Sequence, residues 1–128
     1  MITSALRAAF VAAVFAGPAA ADCNGTRDCP IEIHMARGTN TIVLTGETRQ
    51  NVDCCTYAFR ARAGQRLYWR LEGASLRTVL IYPNGEVDGP GVPNGLTLPA
   101  TGRYVFDVHP NLMADGAYGS YKLTLTIR

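Results

Sequence analysis

The feature that most limits how this chain can fold is a strict two-residue alternation near its end. Tyr121, Leu123, Leu125 and Ile127 are apolar, and Ser120, Lys122, Thr124 and Thr126 between them are polar. Successive side chains of a strand point to opposite faces, so the pattern predicts a strand with one face in a core and one in water. The same period recurs upstream. Ile31, Ile33 and Met35 alternate with Glu32 and His34, and Tyr57, Phe59 and Ala61 with Ala58, Arg60 and Arg62. Leu67, Trp69 and Leu71 alternate with Arg66, Tyr68 and Arg70, and Tyr104, Phe106 and Val108 with Arg103, Val105 and Asp107. Residues 41–45 read as a short strand ended by Gly46, residues 96–98 as another, and residues 77–82, apolar on both sides, as a more central one. Turn chemistry at Pro83-Asn84-Gly85 and Thr101-Gly102, with loops at 88–94 and 110–119, separates them. About eight short strands at regular spacing predict an all-β fold, an antiparallel β-sandwich around one core. The stretches 57–61 and 67–71, turned at Gly64, are expected to pair as a hairpin with an arginine face of Arg60, Arg62, Arg66 and Arg70.

The beginning of the chain reads differently. Arg7 precedes an apolar run over residues 8–16, too short to span a bilayer, followed by Gly17-Pro18 and Ala19-Ala20-Ala21. This is the pattern of a secretory signal peptide over 1–21, leaving a single domain over 22–128 that is periplasmic or secreted. Asp22 in front of Cys23 rules out a lipid anchor at that cysteine, and no membrane anchor is expected elsewhere.

Export makes the four cysteines, Cys23, Cys29, Cys54 and Cys55, a disulfide framework that staples the N-terminal end of the domain. A Cys54–Cys55 bridge would close a strained ring across one peptide bond. The expectation is therefore that Cys54 and Cys55 each pair with one of Cys23 and Cys29, in either order. The spacings do not suit paired zinc knuckles, and no metal site is expected.

Nothing in the chain equips it for catalysis. There is no G-x-S-x-G elbow, no H-E-x-x-H and no phosphate-binding glycine loop. The two histidines stand apart, His34 on the polar face of a strand and His109 at the opening of a loop. Formal net charge is +2 and no basic run occurs, so no nucleic-acid partner and no cofactor is expected. A non-catalytic binding domain is the reading that remains. Three surface features suit such a role: the polar loop 47–53 held by Cys54-Cys55, the loop 109–118 with Leu112-Met113, His109 and Tyr118, and the arginine face.

Several stretches also resemble a known family. Arg37-Gly38 is followed by Thr45-Gly46-Glu47, then by Thr56-Tyr57-Ala58-Phe59 and Ala63-Gly64-Gln65. Leu98-Pro99-Ala100-Thr101-Gly102-Arg103-Tyr104 and the final 121–127 stretch complete the pattern. Together they resemble the periplasmic inhibitors of g-type lysozyme, within the wider class of bacterial pre-peptidase C-terminal β-sandwiches. Thr101-Gly102-Arg103-Tyr104 is also similar to a Ser-Gly-x-Tyr motif of several lysozyme-inhibitor families. The resemblance implies an exported inhibitor whose loops 47–55 and 109–118 occlude the lysozyme's substrate cleft. Arg49, Gln50 and Asn51 on the first loop, and His109 and Asn111 on the second, are the residues expected to contact it. The chain departs from the family in these loops, with no tyrosine in the first and no arginine in the second. The alternative is an envelope module that binds a glycan, such as a peptidoglycan fragment, or a protein.

Overall fold

The computed structural model describes residues 23–128. The signal peptide expected over 1–21 and its cleavage before Asp22 lie outside them. The expected β-sandwich forms, with nine strands: β1 (Ile31–Glu32), β2 (Thr41–Thr48), β3 (Thr56–Ala61), β4 (Arg66–Gly73), β5 (Leu76–Ile81), β6 (Val87–Asp88), β7 (Leu96–Thr97), β8 (Gly102–Pro110) and β9 (Gly119–Ile127). One sheet runs β1-β3-β8-β5-β6 and the other β2-β9-β4-β7. All neighbours are antiparallel except β1 and β3, which pair parallel.

The inward faces are those the alternation marks. In the second sheet Ile42, Leu125 and Trp69 share one row, and Leu44, Leu123 and Leu71 the next. Opposite them lie Tyr57, Phe59, Tyr104, Phe106, Leu80 and Val108, all buried. Phe59 stacks on Tyr104 with ring centroids 5.5 Å apart, and Trp69 tilts against Phe106 across the sheets at 6.3 Å. Each such side chain contributes about 1.5–3 kcal/mol by leaving water.

Three expectations need correction. First, the 57–61 and 67–71 stretches do not form a hairpin. β3 pairs with β1 and β8, while β4 pairs with β7 and β9 in the other sheet. The turn between them, with Gln65 N–H donating to the Arg62 carbonyl at 3.1 Å, carries the chain from one sheet to the other. Alternation reports that one face is buried, and it reads the same whether the covering strand lies beside or opposite. The four arginines therefore share no single face: Arg60 and Arg62 belong to one sheet and its exit, Arg66 and Arg70 to the other.

Second, Gly46 does not end β2, which runs on to Thr48. A side chain at Gly46 would sit 2.5 Å from the Tyr121 hydroxyl, so the glycine makes room for that ring within the strand. Gly73, on the other flank of Tyr121, also leaves no space for a Cβ. The hydroxyls of Tyr121 and Tyr57 meet across the core, and burial, the largest cause for both, raises both phenols above the ordinary tyrosine value.

Third, the disulfides are Cys23–Cys29 and Cys54–Cys55. Residues 25–29 form their own tight turn, with Gly25 N–H on the Cys29 carbonyl and Cys29 N–H on the Thr26 carbonyl, both at 3.1 Å. That turn brings Cys29 back to Cys23 at a Cα separation of 5.0 Å and leaves the adjacent pair to each other. Cys55 takes a left-handed φ of 73°, which folds the backbone at this corner.

Candidate partner-binding site

Thr48 joins the two loops. Its hydroxyl donates to the Ala117 carbonyl at 3.0 Å and accepts from Gly119 N–H at 3.2 Å, where the end of β2 meets the start of β9. Loops 47–55 and 109–118 thus lie side by side at one pole of the sandwich.

The first loop is a tight turn, with Val52 N–H on the Arg49 carbonyl at 3.3 Å and Gln50 and Asn51 at its corner. Asn51 has φ 61°, a left-handed conformation that asparagine tolerates better than most residues. The Arg49 guanidinium pairs with Glu47 at 3.0 Å; both are exposed, so the pair adds little stability. The loop re-enters the body at Cys54-Cys55, whose sulfurs pack against the Glu47 carbonyl at 3.6 and 3.8 Å. Val108 N–H donates to the Cys55 carbonyl at 2.9 Å, which ties this corner to β8.

The second loop is shaped by Asn111. Its N–H donates to the Ser75 carbonyl at 3.0 Å, and its side-chain oxygen accepts Met113 N–H at 3.2 Å. The turn so formed leaves Leu112 71% and Met113 88% exposed. Neither folds back onto the core.

His109 does not open a loop. It lies within β8, opposite Arg77. Its Nδ1 faces Asp107 Oδ2 at 3.2 Å, while Asp107 Oδ1 accepts the Thr56 hydroxyl at 2.8 Å and Arg27 approaches at 3.6 Å. Asp107 is buried, and these groups keep its charge compensated. The Thr56 hydroxyl is buried and donates its proton to the carboxylate, so it is not placed to act as a nucleophile. His34 lies beyond the end of β1 and is exposed. Among the described residues no cluster of His, Cys, Asp and Glu is placed to hold a metal ion.

Between the first loop, the N-terminal turn and the end of β8 runs a cleft of about 310 Å³, lined by Arg27, Thr48, Val52, Asp53, His109 and Pro110 among others. Of the residues singled out in the sequence, His109 lines it; Arg49, Gln50 and Asn51 form the turn at its rim, and Asn111 shapes the neighbouring loop. Arg27 was missed, because the sequence does not show that the N-terminal turn reaches this pole.

This frame has solved counterparts. PliG from Salmonella Typhimurium, a periplasmic inhibitor of g-type lysozyme, matches with a TM-score of 0.60 at 24% identity, over 77% of this chain and 96% of that one. A mutant of PliG from Escherichia coli matches at 0.61 and 20% identity, over 77% and 96%. Aeromonas hydrophila PliG matches at 0.56 and 21%, over 77% and 95%. The chain has the PliG fold. No protein-family model and no curated protein matches the sequence.

Within the PliG fold, the Thr101-Gly102-Arg103-Tyr104 motif stands at the start of β8, at the pole opposite the loops. Tyr104 is fully buried, and its hydroxyl donates to the Ala100 carbonyl at 2.6 Å and accepts Ala100 N–H at 3.1 Å. This is a tyrosine corner, which fixes how the chain enters a sandwich strand.

Proposed function

We propose that the protein is an exported, non-catalytic inhibitor of lysozyme, with g-type enzymes as the favoured target, acting in the periplasm by occluding the substrate cleft with its two adjoining loops. The observation that supports this reading is the junction at Thr48, which ties two loops together at one pole of a chain with the PliG fold. The vicinal disulfide holds the first loop and Asn111 the second, so little conformational freedom remains to be lost on docking. Gln50 and Asn51 offer amides and Arg49 a guanidinium to the carboxylates of a glycosidase cleft, where hydrogen bonds to charged groups are worth about 1.5–3 kcal/mol each. Leu112 and Met113 supply an apolar anchor beside them.

The test is turbidimetric lysis of cell-wall suspensions by goose-type, chicken-type and invertebrate-type lysozymes. Goose-type lysis is expected to stop at micromolar protein, and Leu112→Ser with Met113→Ser to weaken the inhibition. Unimpaired lysis by all three enzymes overturns the proposal.

A further inference from the structure

The pole opposite the loops gathers six arginines: three from the stretch 60–66, and one each from the turn before β2, the start of β8 and the segment after β9. Arg60 is the penultimate residue of β3, Arg62 follows that strand, Arg66 opens β4, Arg103 is the second residue of β8, Arg128 follows β9, and Arg37 stands in the turn before β2. All are exposed. Only Arg103 has a carboxylate partner among the described residues, Glu32; Glu86 lies in the β5–β6 turn. Arg60 faces Arg103 directly across the β3–β8 pair. Arg66 and Arg128 exchange both backbone hydrogen bonds, so they too are opposite. Like charges placed opposite each other on strands are destabilising. Arg128 offsets this in part by lying over the Tyr68 ring at 4.8 Å, but Arg60, Arg62 and Arg66 have no such compensation.

Between them opens a cleft of about 370 Å³, lined by Met35, Asn40, Arg60, Arg62, Gln65 and Thr101 among others. Its polar side chains mostly present donors and none is a carboxylate; Thr39, whose hydroxyl donates to the Ala36 carbonyl at 2.6 Å, is the exception. The Asn40 side-chain oxygen is taken by the Thr41 hydroxyl at 3.2 Å, and that of Gln65 by Arg62 N–H at 2.7 Å. Thr101 Oγ1 accepts Ala63 N–H at 3.0 Å. The free donors are two side-chain NH₂ groups, one hydroxyl proton and two guanidiniums, above an apolar floor of Met35 and Ile127. Two guanidiniums and several neutral donors, with no carboxylate in the lining, suit an ionised carboxylate. The apolar floor suits the C–H face of a sugar ring.

We propose that this cleft binds an acidic glycan, a saccharide whose units carry carboxylates. The site lies at the far pole from the loops, so it stands independently of lysozyme inhibition and can be filled while a protein is held at the other end. The recessed donors favour a flexible chain that enters the cleft over a flat lipid surface.

Isothermal titration with tetragalacturonate tests it, with the neutral galactose tetramer and a DNA duplex as comparisons. Tetragalacturonate is expected to bind and the neutral tetramer not to. Arg60→Gln and Arg62→Gln should each weaken binding about tenfold or more. Asn40→Ala, which keeps the charge, should weaken it by a smaller factor, and Arg49→Gln at the other pole should leave it unchanged. Absence of binding, equal binding of the neutral tetramer, equal binding of the duplex, or an equal loss in Arg49→Gln overturns the proposal.

Discussion

The hydroxyls of Tyr57 and Tyr121 meet at 2.6 Å in the space between the two sheets, each the other's side-chain partner. One ring belongs to β3 and the other to β9, so this polar bond links the two sheets through the core. Replacing either tyrosine by phenylalanine strands the other hydroxyl in the interior, at an expected cost of about 1–3 kcal/mol. The double replacement removes both groups, and should cost less than the two single changes added together. Urea denaturation of the three variants measures this.

Gly46 gives a second test of the same region. A methyl group there would meet the Tyr121 hydroxyl at 2.5 Å and its Cζ at 2.6 Å. Gly46→Ala is expected to destabilise by about 1–3 kcal/mol through overpacking, although alanine is no poorer a strand former than glycine. Gly64→Ala, where no atom crowds the new methyl, tests backbone strain alone because its φ is 94°. The midpoint shift of the first and the near-UV spectrum around Tyr121 distinguish the two.

Alkaline pH should unfold the protein. Burial raises Tyr57, Tyr121 and Tyr82 above their ordinary pKa of 10, with Tyr82 at about 12, helped by its bond to Asp88. Above pH 10 the unfolded chain loses these protons before the folded one does. Their contribution is thus complete below pH 10 and lost as pH rises through the folded values. Denaturation midpoints should fall between pH 10 and 12, less steeply in the Tyr57→Phe, Tyr121→Phe double variant.

The proposed inhibition should depend on the shape of the first loop. Asn51 holds φ 61°, which glycine adopts freely and which costs other residues about 1–2 kcal/mol. Asn51→Gly tests the side chain with the turn retained, and Asn51→Val removes both. An inhibition constant that rises modestly for the first and about tenfold further for the second is the expected result in the lysis assay.

The two disulfides should separate stability from function. Closing the 23–29 segment restricts the unfolded chain, so Cys23→Ala with Cys29→Ala should cost about 2 kcal/mol. Closing a ring across adjacent residues restricts it little, so Cys54→Ala with Cys55→Ala should cost no more than about 1 kcal/mol. The second pair is nevertheless expected to weaken inhibition more, because it releases the loop corner held against Glu47. Thermal melts and lysis assays on both double variants decide this.

The inward face of β9 was legible residue by residue, because Tyr121, Leu123, Leu125 and Ile127 alternate without a break. The partner of β3 was not, because Tyr57, Phe59 and Ala61 carry the same pattern whichever strand covers them. Gly46 reads as a stop, since glycine weakens strands, and only the ring of Tyr121 reveals why it belongs inside one. The cysteine pairing turned on the tight turn at 25–29, which spacing alone does not show. At the loop pole the turn residues were visible from their composition. The exposure of Leu112 and Met113 was not, because a loop has no period to tell inside from outside. The basic pole was hidden for a related reason: Arg60, Arg62 and Arg66 are close in sequence, but Arg37, Arg103 and Arg128 join them only through the fold.

Three of the four lateral margins of the sandwich end in strands of two residues: β1, β6 and β7. Such stubs give an approaching chain almost no ladder to extend. The one long margin, β2, has its Glu47 carbonyl covered by the sulfurs of Cys54 and Cys55. Among these four margins β2 alone offers an added strand a long ladder, and the sulfurs interrupt it only at its Glu47 end.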